Sequence, residues 1–154
     1  MPRRTAPQPP APTATARGPA IVIGPNEDHR RLVRGLLLMH HRPVDVEAAG
    51  LDAVPPPTAA AEPRLLVYVP PSGGATWSSE LRGALSHRSD LRAIVVLPLD
   101  DATTRRSAAR AGARAVLGRP FTSAEFWAAV DRLDGEPAAA HVPRGRGPRS
   151  TARP

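Results

Sequence analysis

Residues 94–133 read IVVLPLDDATTRRSAARAGARAVLGRPFTSAEFWAAVDRL, and two structural signals alternate along them. Ala93 to Leu97 is an unbroken apolar run, the right length for a strand covered on both faces. Asp100 or Asp101 then caps a helix that runs through TTRRSAARA and stops at Gly112. Ala115 to Leu117 reads as another strand. Thr122 and Glu125 have the spacing of a capping box. In the helix they start, Phe126, Val130 and Leu133 fall on one inward face, and Gly135 with Pro137 ends it.

The same alternation continues upstream. Ala20 to Ile23 reads as a strand. Asp28 to His40 follows as a helix, with Leu32, Val33, Leu36 and Leu37 at core spacing and Arg30, Arg31 and Arg34 on the wet side. Val44 and Val46 mark a short second strand, and Leu65 to Val69 a third. Thr76 is the expected N-cap of a helix to Leu85, with Trp77, Leu81 and Leu85 on one stripe. Between strands two and three lies AAGLDAVPPPTAAAEP, which is long enough for a helix. Pro55, Pro56 and Pro57 prevent a regular one, so a helical turn and a Pro-rich loop are expected. Strands that are apolar throughout, joined by helices through right-handed crossovers, give an α/β, doubly wound, five-stranded parallel sheet.

Composition narrows the function. The 154 residues suffice for one domain with an ordinary core. There is no cysteine, which excludes disulfides, thiolate metal sites and a cysteine nucleophile. All basic side chains are arginine, so neither a Schiff-base lysine nor the lysine of a phosphate-binding loop is available. No apolar run reaches the roughly 18 residues that span a bilayer. The first 20 residues have no hydrophobic segment of the secretory type, and their prolines disfavour an amphipathic transit helix. A cytoplasmic protein without membrane contact is the expectation. The net charge of +7 is uneven: residues 1–19 carry +3, residues 20–134 carry 14 Arg against 13 acids, and residues 135–154 carry +3. Residues 1–19 and 135–154 are rich in Pro, Ala and Arg and poor in large apolar side chains. They are expected to be disordered tails around a domain at 20–134.

The stretch 108–121, in which AxxAGAxxxLxxPF precedes an acidic amphipathic helix, resembles the response-regulator receiver domain of two-component phosphorelay signalling. PRLLVYV at 63–69 is similar to that family's third strand, and EDHRRLVRGLL at 27–37 to its first helix. The resemblance implies a flavodoxin-like fold, strand order 2-1-3-4-5, with five helices, the second here shortened or replaced by the Pro-rich loop. It also implies phosphoryl transfer to an aspartate at the tip of strand three. An acidic pair after strand one holds Mg²⁺, a Thr or Ser follows strand four, a Lys follows strand five, and a switch aromatic lies on strand five. Oxygen ligands suit a hard cation, and the donors offset developing charge. Carried over by position, the phosphoacceptor falls on Val69, the hydroxyl on Pro98, the lysine on Arg119 before Pro120, and the aromatic on Val116. The acidic pair persists as Glu27 and Asp28 if the loop is about two residues longer than usual. The bond before Pro120 is expected to be cis. Prolines at 25, 70, 71 and 98 stand where reactive or moving groups are expected. The reading is a degenerate receiver, not an enzyme, with no cofactor, that acts by binding.

Other candidates have plainer explanations beside the functional ones. Glu27 and Asp28 are weak metal candidates, or acids favoured at a helix N-terminus. Asp100 and Asp101 suit capping. His40 and His41, near Asp45 and Glu47, invite a metal but show no recurring ligand spacing and read as a helix end. Ser72-Gly73-Gly74 lacks the nucleophile elbow and reads as a loop. Arg105, Arg106, Arg110 and Arg114, with a partly exposed Trp127, form a candidate face for an unidentified protein partner or a homodimer, or else a solvated basic surface. The Arg-rich tails suggest weak, salt-sensitive nucleic-acid contact, or simply solvated chain. The 20 residues after Asp134 hold no helix-turn-helix. A remnant of a longer DNA-binding regulator, and a nucleic-acid-associated protein using the tails and the basic helix, are the alternatives.

Overall fold

The computed structural model describes residues 17–57 and 63–136. The expectations for residues 1–16 and 137–154, and for residues 58–62 of the loop before the third strand, lie outside these. Five strands, β1 (Ala20–Ile23), β2 (Val44–Ala48), β3 (Arg64–Tyr68), β4 (Leu91–Leu97) and β5 (Ala115–Gly118), form one sheet in the order β2-β1-β3-β4-β5. Every pairing is parallel. The helices are α1 (Glu27–Met39), α2 (Trp77–Leu85), α3 (Ala102–Ala111) and α4 (Ser123–Gly135). The described residues hold four α-helices where the resemblance implies five: between β2 and β3 they contain only the 3₁₀ turn Leu51–Ala53. Val54 and the prolines at 55–57 account for this, because three successive residues without N–H cannot extend a helix.

The continuous apolar runs are explained by helices on both faces. Ala20, Val22, Leu65, Val67, Ile94 and Val96 turn to the layer holding Val33, Leu37, Phe126 and Val130 of α1 and α4. Ile21, Ile23, Leu66, Tyr68, Val95 and Leu97 turn to Trp77, Leu81, Ala108 and Ala111 of α2 and α3. Neither face of the three inner strands meets water, so each large apolar side chain contributes about 1.5–3 kcal/mol on burial. The edge strand β2 differs: it alternates, with Asp45 and Glu47 exposed, and so presents charge at the sheet's rim.

The local signals act largely as their chemistry predicts. The Asp101 carboxylate accepts from Thr104 N–H at 2.8 Å, and Gly112 ends α3 at φ 108°. Thr122 and Glu125 form the capping box. Asn26, not singled out in the sequence, caps α1 by accepting from His29 N–H at 3.0 Å. Thr76 sits at the N-cap of α2, but its own helical backbone (ψ −27°) leaves its hydroxyl without a cap bond. Two expectations for α1 are corrected. Leu32 is 52% exposed, because the buried stripe is carried by Val33 and Leu37. Arg30 is part-buried, folding back to donate to Gly24 O at 2.6 Å.

Candidate functional site

Four strands end together. Beyond them stand Gly24, Val69, Pro98 and Arg119, one past the end of each. Val69, the implied phosphoacceptor position, is 2% exposed, and its N–H donates to Ile23 O at 2.8 Å. It packs with the α1–α4 layer of the core. Gly24 faces it so closely that a Cβ there would lie 3.1 Å from Val69 Cβ and 3.0 Å from Val69 O. No acidic side chain fits directly after β1 unless β3's tip moves. Pro70 is buried, whereas residues 71–74 are exposed, with Gly73 and Gly74 at positive φ.

Arg119 closes this end. Its Nη1 donates to His29 Nε2 at 2.7 Å, joining the β5–α4 loop to the first turn of α1. An accepting Nε2 requires a neutral imidazole. Burial and then the Arg119 charge hold the His29 pKa below its ordinary 6.5, against a smaller opposing effect of Asp28. Beneath this pair lies a pocket walled by Val33, Val69, Val96 and Phe121, with a volume of about 10 Å³. That is about the space of one water. The Arg119–Pro120 peptide bond is cis.

Three of the four carboxylates near this end have partners of their own. Glu27 and Asp28 are exposed in the first turn of α1, and Glu27 pairs with Arg31 at 2.6 Å. Asp100 pairs with Arg105, and Asp101 caps α3. Hydrogen bonding from Arg105 lowers the Asp100 pKa, and hydrogen bonding from Thr104 lowers that of Asp101. Among the described residues no three His, Asp or Glu side chains are grouped to hold a metal. A magnesium site of the receiver type does not fit these residues: Gly24 has no side chain, Val69 is apolar, and the two helix acids face solvent.

The remaining candidates separate in space. His40 lies 2.9 Å from Asp131, Asp45 pairs with Arg64, and Glu47 lies 3.5 Å from Arg30, so these three do not form one site. Arg105, Arg106, Arg110 and Arg114 are exposed on α3 and just beyond it. Trp127 does not share their face. Its indole N–H donates to Leu36 O at 3.1 Å, and its ring stacks on His40 at 5.6 Å, which fixes it against α1. Phe126 takes the sheet-facing position, so its neighbour turns along the helix surface toward α1.

Sequence reasoning missed His29, Gly24 and Arg42. Arg42 is 2% exposed and donates to Asp134 at 2.7 Å. In HHRPVDV nothing distinguishes it from a surface arginine. In EDHRR, His29 reads as one more residue on a wet helix face.

A five-stranded parallel sheet in the order 2-1-3-4-5 with helices on both faces is the flavodoxin-like fold that receiver domains have, and this chain has it. Solved structures of that fold match it over most of their length. The non-phosphorylated HemR receiver domain from Leptospira biflexa aligns at TM-score 0.61 and 17% identity, covering 79% of this chain and 97% of that one. The chemotaxis protein CheY4 of Vibrio cholerae gives 0.61 and 14%, covering 77% and 99%. A CheY-like protein, tadZ, from Pseudomonas aeruginosa PAO1 gives 0.57 and 19%, covering 76% and 99%. No family model and no curated protein matches the chain.

Proposed function

We propose that this protein is a receiver-like signalling module that works by binding a protein partner, without phosphoryl transfer. The observation that carries this reading is the filled strand-tip site. Val69 stands where a carboxylate would be needed, a side chain at Gly24 would crowd it, and Arg119 on His29 lines a pocket of about 10 Å³. A phosphoryl group with its cation needs far more room and at least one carboxylate nucleophile. Pro98 supplies neither hydroxyl nor N–H. The protein is accordingly not an enzyme in this reading, and its output is the surface of a fold held in one state.

The test is a pair of two-dimensional amide NMR spectra, with Mg²⁺ and with Mg²⁺ plus beryllofluoride. The expected result is no saturable shift at residues 24–29, 69–74, 98–101 and 119. Saturable shifts there would return the protein to the working phosphorylation switches.

A further inference from the structure

At the other end of the sheet, where β4 and β5 begin, a second pocket of about 240 Å³ opens between the C-terminus of α2 and the end of α3. Three arginines line it from three different segments: Arg82 on α2, Arg88 before β4, and Arg114 before β5. Leu85, Leu91 and Ala111 contribute its apolar lining. The backbone there is set by Gly112, whose positive φ turns the chain beside Leu85, and by His87 at φ 60°.

The three arginines are not equivalent. Arg88 is held by Asp90 through two parallel bonds of 2.7 and 2.8 Å, so it is a fixed element of the wall. Among the described residues the acidic partner of Arg114 is Glu136, at 3.9 Å, and half the arginine's side chain is exposed. Arg82 is exposed and has no acidic partner among the described residues. Two mobile-stemmed cations therefore flank a partly apolar hollow whose own acids are already engaged.

We infer that this pocket binds a glutamate-bearing acidic segment of a protein partner. The carboxylate is held between Arg82 and Arg114, and its methylenes lie on Leu85 and Leu91. An Arg fork suits a carboxylate, and a long aliphatic stem suits the floor. A nucleic acid is the poorer match: no aromatic side chain lines the pocket for base stacking. The inference rests on the interaction reading and gives it a partner chemistry, at a site remote from Val69 and Arg119.

The test uses the full chain with methyl-labelled leucines, titrated with acetylated hexaglutamate and separately with a short oligothymidylate. Saturable movement of the Leu85 and Leu91 methyls by hexaglutamate is expected, with binding weakened about tenfold in the Arg82→Gln/Arg114→Gln double variant. Both positions are exposed, so the variant keeps its fold, checked by circular dichroism. Still methyls, unchanged affinity in the variant, or stronger movement by oligothymidylate would each overturn the inference. A beryllofluoride response at residues 24–29 and 69 would instead sink the phosphorylation-independent reading, and the two failures are read from different resonances.

Discussion

Val69 is a single side chain on which fold and function meet. It is as buried as the strand residues before it, so its burial strengthens the core while its identity removes a nucleophile. Putting the carboxylate back sets a charge against the apolar wall of Val33, Val96 and Phe121. Val69→Asp is expected to destabilise the protein by about 3 kcal/mol, as an uncompensated buried charge does, and to leave the protein unresponsive to beryllofluoride. Urea unfolding checks the first part. An equally stable, responsive variant would show that the site is one substitution from working. His29 adds a pH effect whose sign is fixed by its lowered pKa. Below 6.5 the unfolded chain takes up the proton before the folded one, so stability falls as pH drops from 6.5 through the folded value. His29→Gln still accepts from Arg119 but cannot titrate. Wild type should therefore lose stability relative to this variant as pH falls through 6.5 and then through the lower folded-state pKa. Parallel urea midpoints for the two proteins would count against the Arg119 latch.

At the scale of elements, what the sequence made legible depends on the range of the force involved. The strands were readable because sheets covered on both faces demand unbroken apolar runs. The start of α4 was readable because a capping box needs only residues three apart. Thr122→Ala should accordingly cost about 1 kcal/mol, seen as a lower urea midpoint with an unchanged slope, and Glu125→Ala should act through the same pair. Thr76 shows the limit: the right residue stood at the right position, but the backbone dihedrals that decide whether its hydroxyl can cap are not in the sequence. Trp127 shows another, since a residue beside a buried one can turn either way, and the turn toward α1 was decided by Leu36 O and His40. Docking of α2 on the sheet has its own reporter in the single tyrosine. Burial, and then the Glu80 charge, push the Tyr68 phenol up to about 12. An ultraviolet titration should show no phenolate near pH 10, and a transition there would mean that the α2 side of the sheet is open.

For the whole molecule the question is what fastens its first and last elements to each other. The polar answer was hidden in the sequence because every pair spans most of the chain. Arg42, just after α1, donates to Asp134 on α4 at 2.7 Å. Arg17 lies 3.3 Å from Asp131 and 3.5 Å from Asp134, and His40 lies 2.9 Å from Asp131. Periodicity and capping rules see only neighbours, so a buried arginine with a partner 92 residues away leaves no local mark. The pair is not stabilising merely because it is charged, since desolvating both groups offsets most of their attraction. Removing one partner is different. Arg42→Ala leaves a cavity and strips Asp134 of its nearest cation, while the carboxylate's 24% exposure gives it partial access to water. The expected loss is about 2 kcal/mol, below the range for a fully buried pair. Arg42→Met, which fills the space without the charge, should lose less when combined with Asp134→Asn than when made alone. A double-mutant cycle by urea unfolding measures that coupling, and a coupling near zero would mean that the α1–α4 seam does not depend on the Arg42–Asp134 pair.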